Sequence, residues 1–346
     1  MWFYYILFFI ILTFSIVSEK KELKSTYFAL IIFILFLVTA FRSSSCGSDY
    51  DNYVSYYYDS FRLSYIFLEP TFFAISNLSR LIFNSPIGIF IIYALISLLI
   101  KYYALRRLTS FYNFSILIFI PFYFLNHEMT QIRTGVATGF LLLSIVPLYQ
   151  KNAKKFLILI LLGSMFHYSL CLFAFFYFLN SKEISLKFYL FLFCLAYLFY
   201  FLNIDVVSLL KMLKYEFIVQ KVEAYELLMK EGQHTKINVF NSLLLIRILI
   251  LFFLMFNFKK IVVQNKYVVL LLKIYAFSIL FFIIFYKMPI LAFRMSQLLG
   301  IVEIILFPLM IYIFKQKEFI IAFLIAYSLL VLSIELFYNN LMNPYF

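Results

Sequence analysis

The chain is poor in the residues that soluble chemistry relies on. Only 13% of its 346 residues are charged, about half the usual roughly 25%. Seven glycines include no Gly-rich phosphate loop of either common spacing. The three cysteines, Cys46, Cys171 and Cys194, are too few and too scattered for a disulfide framework or a zinc site. No metal-ligand spacing and no serine triad is visible, so neither a metal nor a cofactor is expected. Acidic residues are scarce, 16 against 29 basic ones, which leaves a formal charge of +13. That charge alone would suggest nucleic acid. However, the Lys and Arg residues sit in short stretches between apolar runs, as in a membrane protein, so no nucleic-acid partner is expected.

What the chain does have is hydrocarbon. Hydrophobic residues make up 65% of it, with 48 Phe and 29 Tyr, against a globular norm of roughly 45–50%. A soluble domain this apolar would expose too much of it to stay in solution. The composition excludes a secreted domain, a cytosolic enzyme and a disordered chain. Residues 1–17 are apolar, no basic residue precedes them and no small-residue cleavage site follows, so they read as a first span rather than a cleaved signal.

A span needs roughly 20 apolar residues. Runs of about that length begin near Trp2, Thr26, Ile87, Phe114, Ile132, Phe156, Leu186, Val239, Tyr267, Phe293 and Glu318. Two stretches do not fit. Residues 71–83 are too few and lie between Pro70 and Pro86; residues 156–179 are too many and are interrupted by His167. If the first is re-entrant and the second a hairpin turning near His167, one orientation puts most Lys clusters in the cytoplasm, as positive-inside requires. Those clusters include Lys20/Lys21/Lys24, Lys101 with Arg106 and Arg107, and Lys151/Lys154/Lys155. The expected fold is all-α: one polytopic membrane domain over residues 1–346, with about 11–13 membrane helices, re-entrant or broken segments among them, and an outer-facing cavity. Irregular backbone at membrane depth is tolerated only inside protein or beside such a cavity. Residues 42–70 and 203–238 are its large outer loops. In the second, Val206, Val207, Leu210, Leu213, Phe217 and Ile218 alternate with Lys211, Lys214, Glu216 and Lys221, the pattern of an amphipathic surface helix.

Ionisable groups in or near spans cost roughly 2.5–3.5 kcal/mol each at a helix centre and so point to function. Six of the eight arginines, Arg42, Arg62, Arg80, Arg133, Arg247 and Arg294, fall on or just below the outer side in this scheme. A guanidinium fork matches two phosphate oxygens, so an outward Arg cluster suggests a phosphate-rich ligand at the outer leaflet; interfacial anchoring is the plainer reading of any single one. The segment from His127 and Glu128 through Gln131 and Arg133 opens a span and runs into G-x-x-x-G at Gly135 and Gly139, which suits close approach of a helix or a lipid chain. His167, alone between two apolar half-helices, can take a proton near neutral pH, although a lone His is as often structural. Asp49, Tyr50, Tyr53 and Tyr56 set carboxylate and ring faces side by side, as a sugar would require, and also as an interfacial aromatic belt would. Glu69, at the head of the short helix, could cap it or serve as an acid or base. Arg247 and Glu303 sit at similar depth and are expected to form a structural ion pair.

The ordered set Arg42…Asp49-Tyr50-x-x-Tyr53, Glu69-Pro70, Ile132-Arg133-x-x-x-Ala137 and Phe166-His167-x-Ser169 resembles the EpsG-type family of Wzy-like polysaccharide polymerases, over roughly residues 40–180. The match departs at one point. The family often reads Arg-Gln here, whereas Thr134 follows Arg133 and Gln131 precedes it. The resemblance implies a bacterial inner-membrane enzyme that extends O-antigen or another surface polysaccharide. It would move a growing glycan from undecaprenyl pyrophosphate onto a lipid-linked repeat unit at the outer face, working among membrane lipid and without a nucleotide. A chain-length regulator is the further partner such enzymes admit. In that reading Arg133, with Arg42 or Arg294, offsets the pyrophosphate charge, and His167, Asp49 or Glu69 takes the acceptor proton. Tyr50, Tyr53 and Gln131 contact glycan. An O-antigen ligase, a flippase or transporter of lipid-linked oligosaccharide and, more distantly, an acyltransferase using His167 are the competing readings.

Overall fold

The computed structural model describes residues 1–18, 23–59, 68–211, 223 and 237–346. Among these the secondary structure is helical throughout, with no strand. Four helices are long and apolar enough to cross a membrane: Ile87–Leu108, Ile132–Tyr149, Pro289–Tyr312 and Lys317–Tyr338. The longest of the first pair, at 22 residues, spans roughly 33 Å against a hydrocarbon thickness of roughly 30 Å. Shorter apolar helices accompany them, among them Trp2–Val17, Lys24–Ala40, Leu186–Phe201 and Val268–Ile284. The chain is an all-α polytopic membrane protein, and its helices begin close to where the apolar runs predict.

The helices form two compact units, one made of Met1–Leu179 with Glu303–Phe346, the other of Asn180–Val302. In the first unit we label α1 (Trp2–Val17), α2 (Lys24–Ala40), α3 (Tyr50–Asp59), α4 (Pro70–Phe83), α5 (Ile87–Leu108), α6 (Tyr112–Phe119), α7 (Ile132–Tyr149) and α8 (Ala153–Ser164). Helix α5 is central, packing on α2, α4 and α7. Its buried stripe, Phe90, Tyr93, Ala94, Ser97, Lys101, Ala104 and Leu108, has helical period, while Leu95, Leu99 and Tyr103 are exposed on the other side, as expected of a helix with one face to protein and one to lipid. Gly139 of α7 makes room for a side chain of α5: a Cβ there would lie 2.8 Å from Ile100 Cγ2. This half of the G-x-x-x-G pair is therefore explained by helix packing.

Both awkward stretches are broken. Helix α4 has 14 residues, about 21 Å, short of a full crossing. Pro70 opens it, and Asn84, with φ of 48°, ends it, a left-handed stop that Asn tolerates. The 156–179 stretch is a hairpin, α8 followed by a 3-10 segment, Tyr168–Phe178, packed against it. His167 sits at the turn with extended backbone. Lys151 closes the open end by donating to the carbonyls of Tyr177 at 2.8 Å and Leu179 at 2.7 Å. Helix α6 runs on as a π-helix, Ile120–Glu128, which starts with Pro121 near its head and reaches the first turn of α7 through Gln131 N–H to Asn126 O at 2.7 Å.

One expectation fails in this unit. Lys101 does not lie in a loop. It is 1% exposed, because α5 continues to Leu108 and carries it into the protein two turns before the helix ends.

In the second unit Val268–Ile284 is buried along nearly its whole length and packs on Leu186–Phe201, Ser242–Phe256 and Pro289–Gly300. Of the amphipathic segment expected after residue 203, Val206–Lys211 is helical. Asp205 accepts from the amides of Val207 at 3.0 Å and Ser208 at 3.2 Å, and Val207 is buried with Met288. Leu213, Lys214, Glu216, Phe217, Ile218 and Lys221 lie outside the described residues, as do Lys20, Lys21 and Arg62.

Candidate active site

The strongest convergence of the expected residues is in the first unit, on Glu69. This residue stands in extended backbone just ahead of α4, outside every membrane-spanning helix. Its carboxylate is shared between two partners. Oε2 takes the guanidinium Nη1 of Arg133, and Oε1 lies 3.4 Å from Nδ1 of His167. The Glu69 side chain is 4% exposed, His167 13% and Arg133 23%, so the carboxylate is covered and its partners retain access. Residues 69, 133 and 167 thus arrive from three separate elements, the head of α4, the first turn of α7 and the tip of the hairpin.

Local structure explains the meeting. Thr71 Oγ1 donates to Met165 O at 2.6 Å, and the Tyr168 hydroxyl reaches Leu68 O at 3.4 Å, so the head of α4 is tied to the hairpin turn on both sides of Glu69. Phe166 packs edge-on against Tyr93 of α5 at 5.9 Å and stacks on Phe140 of α7 at 5.9 Å, which fixes the residue before His167. Tyr53 lies under Arg133, with its ring 5.8 Å from the guanidinium carbon and its side chain in hydrogen-bonding contact with that group.

Burial alone would raise the Glu69 carboxyl, but the contact with His167 and the Arg133 charge outweigh it and hold its pKa down at about 2. Two of the sequence-based roles for Glu69 are thereby narrowed. It makes no side-chain cap to α4, because its oxygens are spent on Arg133 and His167. A carboxylate this acidic is also a weak proton acceptor near neutral pH. Its two oxygens are instead directed at Arg133 and His167.

Arg42 forms a second centre on the same face of α3. It is 4% exposed and lies on the Phe90 ring at 4.4 Å and beside Tyr50 at 6.0 Å. Its Nη1 donates to Thr39 O at 3.1 Å and Glu128 O at 3.2 Å, while its Nε and Nη2 are buried with no acceptor, as is the Nε of Arg133. Tyr50 stacks on Phe90 at 4.4 Å, one helical turn from Tyr53. The two guanidinium groups therefore flank one turn of α3. Both tyrosines lie against arginine, Tyr53 buried at 3% exposed and Tyr50 half-buried.

The remaining candidates are more peripheral. Asp49 is half-buried, and its carbonyl caps α3 by accepting Tyr53 N–H at 3.1 Å. Gln131 bonds back to its own helix, its Oε1 accepting from the Thr134 hydroxyl at 3.5 Å. Arg80 braces α3 against α4, with its guanidinium donating to Tyr57 O and lying 4.5 Å from the Tyr57 ring. Arg294 belongs to the second unit and is exposed on Pro289–Gly300. Arg247, in that unit, donates to Tyr275 at 3.3 Å and Ser278 at 3.2 Å. Glu303, in the first, accepts from Tyr123 at 2.8 Å. Each of the pair expected from sequence thus has a partner within its own unit.

Sequence reasoning passed over one buried pair. Lys101 Nζ lies 2.7 Å from Glu128 Oε1, with both side chains 1% exposed. The available signal was Glu128 itself, a carboxylate in an apolar run that demands a partner.

An α-helical membrane chain with an Arg–Glu–His cluster around a buried carboxylate is the class these observations define. The EpsG family model matches residues 25–346, nearly the whole chain, and the chain belongs to the EpsG family, a Wzy-like, polymerase-type family of polysaccharide biosynthesis. No curated protein and no solved structure matches it.

Proposed function

We propose that the protein is a polysaccharide polymerase of the bacterial inner membrane, which transfers a growing glycan from undecaprenyl pyrophosphate to the end sugar of a lipid-linked repeat unit at the outer face. The observation that carries this reading is the Glu69 carboxylate divided between Arg133 and His167. It joins a cation suited to a departing diphosphate to a base suited to an incoming hydroxyl.

In the reaction the acceptor hydroxyl oxygen bonds to the anomeric carbon as the bond from that carbon to the diphosphate oxygen breaks. The proton goes to His167, and undecaprenyl pyrophosphate departs with the bonding pair. Glu69 facing Nδ1 favours the tautomer that carries its proton there, which leaves Nε2 to accept. Once His167 is protonated, the same carboxylate stabilises the imidazolium. Arg133 meets the charge that grows on the leaving oxygen. Its unpaired Nε, with Nε and Nη2 of Arg42, are donors that a diphosphate would satisfy. Asp49, beside Tyr53, contacts the acceptor sugar in this reading, along with Gln131.

Deletion of the gene from a strain that makes long surface glycan should leave single repeat units, and the full chain in vesicles should lengthen undecaprenyl-pyrophosphate-linked repeats into a ladder. Unchanged chain length in the deletion strain refutes the reading. So does transfer of whole glycans to lipid A-core without lengthening, which is ligation, or movement of substrate between leaflets without a new glycosidic bond, which is transport.

A further inference from the structure

Behind the site, the first turn of α7 rests on a buried charged cluster that the proposed chemistry does not touch. Lys101 Nζ lies 2.7 Å from Glu128 Oε1 and donates to Ser97 Oγ at 2.8 Å. Ser97 Oγ in turn reaches Glu128 Oε1 at 3.0 Å. Lys101 also donates to the carbonyl oxygen of Gly135, two residues beyond Arg133 in the opening turn of α7. From the other side, the Glu128 carbonyl accepts Arg42 Nη1 at 3.2 Å. Gly135 is what lets these groups close up: a Cβ there would stand 2.7 Å from His127 O and 3.1 Å from Glu128 Oε2.

We propose that the Lys101–Glu128 pair is a positioning device for diphosphate binding, holding the backbone that carries Arg133 and the carbonyl that orients Arg42 at one fixed separation. The inference rests on the polymerase reading for the identity of the ligand. Its physical basis is independent of that reading. A buried ion pair is a poor source of stability, since apolar residues of similar volume do as well or better. Fixing a register is the best-attested use of a buried polar pair, and interhelical polar contacts add direction to the packing of helices in lipid. Here one lysine bonds at once to its own helix, to the π-helical segment and to α7. Phe119, whose ring lies 5.8 Å from the ammonium, covers the same cluster. The pair is a positioning element and touches no reacting atom.

The test is binding of undecaprenyl pyrophosphate to the full chain in lipid nanodiscs, with melting temperature and binding stoichiometry read on the same samples. The double variant Lys101→Met/Glu128→Leu replaces the pair by hydrocarbon. It should melt at or above the wild-type temperature, bind one-to-one, and bind about tenfold more weakly, as expected when cationic donors are misplaced. Unchanged affinity in this variant overturns the proposal, and so does a loss that appears only as reduced stoichiometry, which would mean a merely structural role. If the double variant does not insert, Glu128→Gln, which keeps the side-chain shape, decides by affinity per bound site; its melting temperature should fall, because Lys101 is left buried without its counter-charge. Arg133→Ala separates the two levels. If it binds as tightly as wild type, the diphosphate reading itself fails; if it loses binding while the double variant does not, only the positioning role fails.

Discussion

Glu69 and Arg133 are 64 residues apart in sequence and form one ion pair, and the second carboxylate oxygen of that glutamate faces His167. A single carboxylate thus couples the Arg133 guanidinium to the His167 imidazole, and changes at any of the three should be felt by the other two.

Arg133→Ala should abolish polymer while the protein still inserts. Arg133→Lys is the sharper substitution. It keeps a charge for Glu69 but gives up the planar fork and the contact with Tyr53, so we expect a loss of about 10²–10³-fold in transfer rate, the scale seen when one preorganised donor is removed. The measurement is the rate of ladder formation by purified protein in vesicles. Full activity in the lysine variant would show that fork geometry is irrelevant here.

His167→Gln should cost about 10²–10⁴-fold, the usual contribution of general acid–base catalysis, with little change in undecaprenyl pyrophosphate affinity. Asp49→Asn, which leaves the Asp49 carbonyl and its bond to Tyr53 in place, should cost far less. A reversed order of the two effects would move the base from the hairpin tip to the head of α3.

The pH profile distinguishes the same candidates. The Glu69 carboxyl is held down at about 2, so its charge is lost only as the pH falls that far, and it cannot produce an acid limb between about pH 5 and 8. A limb in that range is where an imidazole acts. Wild-type activity should fall as the pH drops through it, because protonated His167 cannot accept the hydroxyl proton. Glu69→Gln should lower the plateau and move the limb to lower pH, since the neutral amide no longer favours imidazolium. A limb that stays in place in this variant would uncouple Glu69 from the base.

Much of this arrangement is legible in the sequence because it depends on hydrocarbon and backbone breaks. Ile87, Ile132 and Leu186 open helices where the apolar runs begin, and the excess length of 156–179 is resolved by a turn at His167. What one chain cannot display is which faces turn inward. Lys101 reads as a loop cation because it clusters in sequence with Arg106 and Arg107, one to two turns on, which are exposed; Lys101 instead faces Glu128. The arginines divide for the same reason. Arg42 and Arg133 flank α3, whereas Arg80 and Arg247 are taken up in bracing helices. Hydropathy assigns depth to a residue, but its partner is chosen by rotation about the helix axis.

Gly139→Leu probes packing apart from chemistry. The added side chain would start 2.8 Å from Ile100 Cγ2 and 3.6 Å from Ser97 O, on the buried seam between α5 and α7. Overpacking of this kind costs about 1–3 kcal/mol, so the melting temperature in detergent should fall and less protein should survive purification. Gly139 lies beyond the first turn of α7, and the atoms its Cβ would meet belong to Ile100 and Ser97 of α5. Where the bond from Lys101 to the Gly135 carbonyl, one turn away, is kept, molecules that do fold should bind undecaprenyl pyrophosphate with near wild-type affinity at reduced stoichiometry. A normal melting temperature with weakened affinity would instead mean that the α5–α7 seam sets the geometry of the site directly, and that Arg133 is held by helix spacing as much as by Glu69.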